Sequence, residues 1–360
     1  MIEVDVAAPS RSYRVLVGRR LLGRVGDLWR PLGDSERTLV VCDENVAPLY
    51  LQPLQDALAA AGQRVTPVVL PAGESEKNLE RLSWLYGVFY DERLSRSDAV
   101  VALGGGVIGD LAGCAAATYL RGVRFVQVPT TLLAMVDAAV GGKVAVDYRA
   151  GKNHVGTFYQ PWLVVADLDS LSTLPEREVR CGWAEVVKYA LLDGRELLAD
   201  VERTVGADGG LPDEDTIAAC VRRKVEIVVS DEREESGERA LLNLGHTIGH
   251  AIEAATAFSR YSHGEAVALG LRATLWLSER LAGLPAAAAE RGQRLLSAAG
   301  LPQRLEGVDR ATVTALVGRD KKAAAGGVRY VLLADLGVPV RDQNVPDELV
   351  EEVTEWLTSR

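Results

Sequence analysis

The 360-residue sequence has few cysteines, histidines and lysines. Its four cysteines, Cys42, Cys114, Cys181 and Cys220, include no CxxC pair, which excludes a zinc knuckle and a disulfide-stapled scaffold. We therefore expect buried thiols in a reducing compartment. The sequence also lacks any apolar run of about 18 residues, so no membrane-spanning helix is expected.

The chain also lacks an excess of positive charge. Lys and Arg number 40 against 50 Asp and Glu, giving a net charge of −10, so neither nucleic acid nor an anionic membrane is an expected partner. The first residues lack the basic segment and apolar stretch of a secretory signal, so a cytoplasmic location is expected. Length and a 48% hydrophobic content predict two globular domains.

The first half alternates apolar, β-branched runs with helical patterns. The runs predict strands at 38–42, 65–70, 98–103, 123–128 and 162–166. Helices are predicted between them, for example at 76–90 and 108–119. Near-continuous apolar strands that alternate with helices are typical of an α/β domain with a parallel sheet covered on both faces.

The second half changes to long helical patterns. Helices are predicted at 176–192, 213–230, 240–257, 264–282, 286–299 and 347–358, with one strand at 328–333. Polar residues and a proline at 172–176 could begin a helix and mark the boundary. The predicted domains are therefore 1–174 and 175–360, the second mostly helical.

A glycine-rich turn at 104–110 follows the strand predicted at 98–103 and opens a helix. Glycines let a backbone approach a pyrophosphate, and a helix N-terminus supplies N–H donors. Asp43 could accept ribose hydroxyls, but it precedes the glycines, whereas the Rossmann fingerprint places its acid about 20 residues after them. A tight strand–helix turn without a ligand is the alternative here, and helix capping is the alternative for 73–77.

Three of the four histidines lie close together in the sequence. His246 and His250 share one helical face, so the spacing favours them as a ligand pair. His263 follows soon after, and Glu185 lies in an otherwise apolar helical stretch. Histidines with a carboxylate fit a divalent metal, most simply zinc in a catalytic site, although one or two could be core histidines. A structural role is favoured for the isolated His154.

Cationic and amide side chains recur in the same segments. In an acidic protein they could form one pocket for a phosphate and a carboxylate, although each alone is also typical of a solvated surface. The candidates are Arg121, Lys143, Lys152, Asn153, Lys188, Lys224, Arg239, Asn243, Lys321 and Lys322. Asp137 lies in an apolar run and needs a partner, as a buried structural aspartate also would.

Six segments together resemble the 3-dehydroquinate synthase family. They are GGGVIGDLAG (104–113), TYLRGVRFVQVPTTLLAMVDAAVGGK (118–143), GKNHVGTFYQP (151–161), GWAEVVKYALL (182–192), LLNLGHTIGHAIE (241–253) and HGEAVALG (263–270). The resemblance implies a Rossmann-like NAD-binding domain over 1–174 and a helical metal- and substrate-binding domain over 175–360. It also implies a homodimer.

The resemblance implies a role for individual residues. It makes Glu185, His246 and His263 the ligands of zinc or cobalt, and it gives His250 to the substrate instead. The implied NAD contacts are Asp43, Glu74, Lys77, Gly105, Gly106, Val107, Asp110, Thr130, Thr131, Lys143, Lys152, Thr173 and Glu178. The implied substrate contacts are Asp137, Lys143, Lys152, Asn153, Lys188, Lys224, Arg239, Asn243, His250, Lys321 and Lys322. Arg121 resembles a residue that reaches the neighbouring subunit's site.

The implied reaction converts 3-deoxy-D-arabino-heptulosonate 7-phosphate (DAHP) to 3-dehydroquinate and phosphate, in the shikimate pathway to aromatic amino acids. NAD transiently oxidises the C5 alcohol, phosphate is eliminated, the ketone is reduced again, and an aldol step closes the carbocycle. Three positions depart from the family pattern: 144–147 reads Val-Ala-Val-Asp instead of a sequence closer to Thr-Gly-Ile-Asn, 138–139 reads Ala-Ala instead of Ser-Ser, and His154 replaces an apolar residue. These departures leave the fine specificity open.

Three other functions stay open from the sequence. Another sugar-phosphate cyclase would use a substrate without the carboxylate. This function is disfavoured by the cationic and amide residues at 152–153, Lys224, Arg239 and Asn243, which fit an acidic substrate. A metal-dependent polyol dehydrogenase would need no phosphate pocket and would release NADH. A non-catalytic NAD-binding protein would need neither a metal set nor a cationic cluster.

Overall fold

The computed structural model describes residues 1–29, 36–149, 151–205, 210–323 and 329–359, except for the side chains of 195 and 318–323. The chain divides into two compact units, Met1–Pro175 and Glu176–Arg360. Among the described residues, no helix combines the length and the apolar character that crossing a membrane requires. All four cysteines are buried thiols, which confirms that prediction.

The first unit is built on a seven-stranded sheet and a separate hairpin. Its strands are β1 (Ile2–Ala8), β2 (Arg11–Gly18), β3 (Arg37–Asp43), β4 (Arg64–Leu70), β5 (Ala99–Gly104), β6 (Arg124–Pro129), β7 (Lys143–Tyr148), β8 (Gly151–Phe158) and β9 (Leu163–Asp167). The sheet order is β1-β2-β9-β6-β5-β3-β4, with β7 and β8 paired apart from it. Only the β1–β2 pair in this sheet is antiparallel. The predicted α/β class with a mostly parallel sheet is confirmed.

Helices cover both faces of this sheet. They are α1 (Val25–Trp29), α2 (Gln52–Ala60), α3 (Leu79–Asp91) and α4 (Gly106–Thr118). One core cluster joins α3 and α4 to one face, for example through Phe89 and Leu111, and another joins α1 and α2 to the opposite face through Trp29 and Leu58. Burial on both faces explains why β3 and β5 read as continuous apolar runs.

The second unit is mostly helical, as predicted. Its helices are α5 (Glu176–Asp193), α6 (Arg195–Val205), α7 (Glu214–Ser230), α8 (His246–Ala255), α9 (His263–Leu281), α10 (Ala286–Ala298), α11 (Arg310–Ala323) and α12 (Asp347–Ser359). One hairpin, β10 (Tyr330–Asp335) with β11 (Val338–Gln343), accompanies them. The core of this unit includes Leu269, Leu332 and Val353.

Several elements differ from the prediction. The helix predicted at 240–257 is wrong as one element, because Gly245 adopts a φ of +79° and separates a 3-10 turn at Glu238–Asn243 from α8. The sequence prediction also missed β1, β2, β7, β8, β11, α1, α6 and α11. In β1 buried and exposed residues alternate, and β8 is exposed throughout most of its length, so neither forms an apolar run.

Candidate metal and nucleotide sites

Three helices of the second unit bring a carboxylate and two imidazoles together. Glu185 is fully buried in α5, while His246 and His263 are the first residues of α8 and α9. The Glu185 Oε1 atom lies 3.5 Å from His246 Nε2 and 3.4 Å from His263 Nε2. One ligand atom from each residue lies within 4.8 Å of the others. Two imidazole nitrogens and one carboxylate oxygen fit a catalytic zinc or cobalt ion with a coordination position left for substrate.

Glycines allow the three helices to approach this closely. A Cβ atom on Gly264, beside His263, would overlap the carbonyl oxygen of Cys181 in α5. A Cβ atom on Gly270 would likewise overlap the carbonyl oxygen of Gly245 at the start of α8. Only glycine lets the backbones come into contact at these two points. Gly264 therefore sets α9 against α5, and Gly270 sets α9 against the start of α8.

Further contacts orient the two imidazoles. His246 Nδ1 lies 3.1 Å from the carbonyl oxygen of Leu244, and His263 Nδ1 lies 3.3 Å from Oε2 of the buried Glu253. Both acceptors favour the tautomer with the proton on Nδ1, which leaves Nε2 as the metal-ligating atom. The Nε2 atoms are also the ones directed at Glu185. Both rings are therefore held in the orientation that a metal ion needs.

The electrostatics of this group favour metal binding. Burial, together with the charge of Lys188, lowers the pKa of His246 to about 3, so its ring is neutral. Burial also opposes protonation of His263, but hydrogen bonds with Glu185 and Glu253 outweigh it and raise the pKa of His263 to about 9. A proton on His263 therefore occupies the place that a cation would take. The Lys188 Nζ atom lies 2.5 Å from Glu185 Oε2, and both residues are buried.

His250 lies at the edge of this group and is exposed. It forms a second, overlapping set with Glu253 and His263, whose ligand atoms also lie within 4.8 Å of one another. Helical spacing predicted His246 and His250 as the ligand pair, and their ring centroids are 5.3 Å apart. The group that includes Glu185, however, consists of Glu185, His246 and His263. Glu253 was not predicted from the sequence, although it follows His246 by seven residues and so shares its helical face.

Other predicted substrate residues of the second unit flank the loop after α7. Lys224 and Arg239 are buried, whereas Asn243 is exposed. Asp231 was not predicted from the sequence. It organises the loop because its carboxylate accepts backbone N–H groups from residues 235, 236 and 239. These hydrogen bonds outweigh burial and lower the pKa of Asp231 to about 2. The Arg239 guanidinium donates to the carbonyl oxygen of Glu232 at 2.5 Å.

In the first unit, the predicted nucleotide residues follow the carboxyl ends of neighbouring parallel strands. Asp43 ends β3, Gly105 precedes α4 directly after β5, and Thr130 follows β6. The Asp43 carboxylate accepts the backbone N–H groups of Asn45 and Val46 at 2.9 and 3.0 Å. Ligands of open parallel sheets bind at this edge, next to a helix N-terminus. Gly106, Val107 and Asp110 lie in the first two turns of α4, and Thr131 follows Thr130.

An ion-pair network connects four of the predicted cofactor residues. The buried Lys77 Nζ atom lies 2.5 Å from Asp110 Oδ2 in α4 and 3.9 Å from Glu74 Oε1. The same Glu74 oxygen lies 3.8 Å from Lys152 Nζ on β8. Burial opposes the charge of Lys77, but Asp110 and Glu74 outweigh it and raise the pKa of the ammonium. Residues distant in sequence therefore meet beside the first turns of α4.

The remaining predicted residues lie on several different elements. The exposed ones are Arg121, Lys143, Asn153, Thr173 and Glu178. Arg121 follows α4 with a φ of +63°, and Thr173 Oγ1 lies 2.5 Å from the hydroxyl of Tyr50. Asp137 is half-buried in a π-helical turn at Ala134–Ala138. The side chains of Lys321 and Lys322 lie outside the described residues.

Both halves of the chain match one protein family. The model of the N-terminal part of 3-dehydroquinate synthase matches residues 67–181, and the model of the C-terminal part matches residues 182–323. The chain belongs to the 3-dehydroquinate synthase family. A 3-dehydroquinate synthase from Caldanaerobacter subterraneus subsp. tengcongensis is 44% identical over 352 residues, which cover 96% of this chain and 99% of that protein.

Solved structures similar to this 3-dehydroquinate synthase family member extend the match to the fold. A 2-deoxy-scyllo-inosose synthase complexed with carbaglucose-6-phosphate, NAD+ and Co2+ has a TM-score of 0.89 at 26% identity, over 98% of this chain and 99% of that chain. The 2-epi-5-epi-valiolone synthase of Streptomyces hygroscopicus subsp. jinggangensis, with NAD+ and Zn2+ bound, has a TM-score of 0.87 at 28% identity, over 98% of each chain. Sequence identity is thus lower to these two cyclases than to the 3-dehydroquinate synthase relative.

Proposed function

We propose that the chain catalyses the 3-dehydroquinate synthase reaction, the conversion of DAHP to 3-dehydroquinate with loss of phosphate. The observation that carries this proposal is the convergence of Glu185, His246 and His263 in a chain whose two halves both match the family. The reaction makes it a phosphorus–oxygen lyase of the shikimate pathway. The expected product is a precursor of chorismate and the aromatic amino acids.

The metal is zinc or cobalt, held by Glu185, His246 and His263. When bound, such an ion polarises a substrate hydroxyl and stabilises negative charge on its oxygen. Glu253 keeps the Nδ1 proton on His263, and Lys188 neutralises part of the charge of Glu185. The two similar cyclase structures support this assignment, because NAD+ is bound together with Co2+ in one and with Zn2+ in the other.

Residues of the second unit bind and orient the anionic groups of the substrate. Lys224 and Arg239 are buried cations, and cations of this kind form strong, charge-assisted hydrogen bonds with phosphate and carboxylate oxygens. Asp231 supports Arg239 by accepting its backbone N–H. The other members of the proposed substrate set are Lys188, Asn243, His250, Lys321 and Lys322 in this unit and Asp137, Lys143, Lys152 and Asn153 in the first unit. A fixed phosphate is a better-positioned leaving group, which lowers the barrier to elimination.

NAD binds at the carboxyl edge of the parallel sheet in the first unit. The backbone N–H groups at the start of α4 bind the pyrophosphate, and Asp43 binds a ribose. Glu74, Lys77, Asp110 and Lys152 surround this point in one ion-pair network. The further proposed contacts are Gly105, Gly106, Val107, Thr130, Thr131, Lys143, Thr173 and Glu178. NAD held there would accept a hydride from the substrate and return it within one turnover, so these residues would have to retain the cofactor throughout the reaction.

We also propose a cytoplasmic homodimer in which Arg121 serves the site of the neighbouring subunit. Arg121 is exposed, has a left-handed backbone conformation and follows the exposed Leu120, so its side chain is available to a second copy. Sedimentation of the purified protein tests the assembly. Mixing Arg121→Ala subunits with metal-site variants tests the exchange of residues, since mixed dimers regain activity only when one subunit completes the other's site.

The substrate is tested by supplying the NAD- and zinc-loaded protein with DAHP, or with a phosphorylated sugar that lacks the carboxylate. We expect phosphate release and 3-dehydroquinate from DAHP alone. Release from the sugar without the carboxylate would instead assign the chain to the other sugar-phosphate cyclases. NADH that accumulates with a simple polyol would assign it to the polyol dehydrogenases.

A further inference from the structure

The β7–β8 hairpin contains an irregularity at one of the positions that depart from the family pattern. Val146 pairs with Val155, but Tyr148 pairs with Gly151, so residues 152–154 lie opposite Asp147 alone. Because three residues face one, β8 has two extra residues here and forms a bulge. Bulges near functional sites change the direction in which side chains point, and this one carries Lys152 and Asn153.

Asp147 forms one hydrogen bond with the segment that carries Lys77 and another with the bulge itself. Its backbone N–H donates to the carbonyl oxygen of Lys77 at 2.8 Å, and its Oδ1 atom accepts the backbone N–H of Asn153 at 2.8 Å. Asn153 has a φ of +56°, in the left-handed region that residues other than glycine rarely adopt. The carboxylate of Asp147 therefore stabilises the unusual backbone conformation that shapes the bulge.

The bulge is thereby fixed to the segment that carries Lys77. Lys152 and Lys77 both approach the same oxygen of Glu74, at 3.8 and 3.9 Å, so their ammonium groups flank one carboxylate. A shift of the bulge would move Lys152 relative to Lys77 and Glu74. The position of Lys152 thus depends on the two hydrogen bonds of Asp147.

We propose that Asp147 is a positioning residue that directs Lys152 and Asn153 toward the acidic sugar phosphate, and that it thereby contributes to substrate specificity. This inference rests on the proposed function, because that proposal assigns Lys152 and Asn153 to the site. Asp147 itself acts through the backbone of Asn153 and does not touch the substrate.

Two variants of Asp147 separate its hydrogen bond from its charge. Asp147→Ala removes the acceptor and is expected to raise the KM for DAHP about tenfold with little change in kcat, the loss expected for one hydrogen bond. Asp147→Asn keeps the Oδ1 acceptor and is expected to recover most of that loss. Asp335→Ala, which removes a carboxylate from the β10–β11 hairpin, serves as the control with a KM equal to that of the parent. An unchanged KM in Asp147→Ala would overturn the proposal.

A combined variant tests whether Asp147 acts through Lys152 and Asn153. In a background that carries both Lys152→Ala and Asn153→Ala, Asp147→Ala is expected to raise the KM by less than about threefold more, because both positioned side chains are already absent. A full tenfold further increase would show an effect independent of these two side chains and would contradict the proposal. Metal content should be that of the parent in all of these variants.

Hydrogen exchange gives a readout that does not require the proposed activity. In Asp147→Ala the amide of Asn153 should exchange at least about tenfold faster, while Asp147→Asn should keep most of its protection. Equal protection in all three proteins would contradict the inference even if DAHP is turned over. If the parent released no phosphate from DAHP, the proposed function would fail, and this exchange measurement would still decide whether Asp147 holds the bulge.

Discussion

The two units of this chain hold their functional candidates in different ways. In the second unit, Glu185 is 0% exposed and its partners come from helix N-termini fixed by backbone contact at glycines. In the first unit, the side chains of Glu74 and Lys152 are 41% and 27% exposed and lie on a short turn and a hairpin. The difference is between a buried set that must be complete and an exposed set whose members act more independently.

This difference has a physical origin. A buried carboxylate costs several kcal/mol unless cations or donors surround it, so Glu185, His246 and His263 depend on one another or on a metal ion. Exposed ion pairs contribute about 0–1 kcal/mol each, so Glu74 and Lys152 can exchange each other for the groups of a ligand. We therefore expect all-or-none effects from substitutions in the first set and graded effects in the second.

The largest effect is expected from Glu185→Ala. Loss of a carboxylate ligand should remove the metal and lower kcat/KM by roughly a thousandfold or more, since loss of an outer-shell partner alone costs about 10–100-fold. Metal content by mass spectrometry and phosphate release measure both effects. Glu202→Ala, which breaks the α6 ion pair with Arg291, is the control and should retain metal. Full activity without metal would contradict the ligand assignment.

The exposed set should respond less sharply. Lys152→Ala is expected to raise the KM for DAHP about 10–100-fold, the loss of one charge-assisted hydrogen bond, with metal content unchanged. Substrate titrations measure the KM, and metal analysis of the same protein measures the bound zinc. Arg203→Ala removes an exposed cation on α6 and should leave the KM unchanged. If substrate binds Lys152→Ala normally, this lysine has no place in the anion pocket.

One added methyl group at Gly264 tests whether the close contact between α9 and α5 supports metal binding. Gly264→Ala should separate α9 from α5, reduce metal affinity and lower the free energy of unfolding by about 1–3 kcal/mol, the cost of overpacking. Gly87→Ala in α3 has nothing within 4 Å of its new Cβ atom and should stabilise the fold by about 0.5–1 kcal/mol. Denaturant titrations with and without zinc measure the free energy of unfolding and the effect of zinc on it for both variants. Unchanged zinc affinity in Gly264→Ala would show that the site tolerates movement of α9.

Metal binding should also depend on pH. Because the pKa of His263 is raised to about 9, metal binding at pH 7.5 should release about one proton, and affinity should increase about tenfold per pH unit up to pH 9. In the metal-free protein the raised pKa stabilises the fold below pH 6.5, and this contribution is lost as pH rises through 9. Calorimetry in buffers of different ionisation enthalpy counts the protons. A binding enthalpy that is the same in all buffers would contradict a protonated His263 in the metal-free protein.

The sequence predicted the parts of the fold that depend on continuous burial. Runs such as 38–42 and 98–103 are buried on both faces and therefore form a clear apolar signal. The β7–β8 hairpin was missed because β8 is largely exposed and its irregular pairing depends on the contact with Lys77. Long-range contacts of this kind leave no local pattern.

The residue types of the candidate metal site could be predicted from the sequence. Spacing alone could not predict which of these residues come together. His246 and His250 share a face, so helical periodicity favours them as a pair. The structure groups His263 with Glu185 and His246 because Gly264 allows α9 to contact α5. That contact joins segments about 80 residues apart, which periodicity cannot show. The family resemblance supplied this ligand set before the structure did.

The most direct test of the central claim measures phosphate release from DAHP with catalytic NAD, in the presence and absence of a chelator. We predict release accompanied by 3-dehydroquinate, no accumulation of NADH, loss of activity with the chelator and recovery with zinc or cobalt. Release that is insensitive to metal removal would contradict the role of Glu185, His246 and His263. Stoichiometric formation of NADH would contradict the recycling of the cofactor within one turnover.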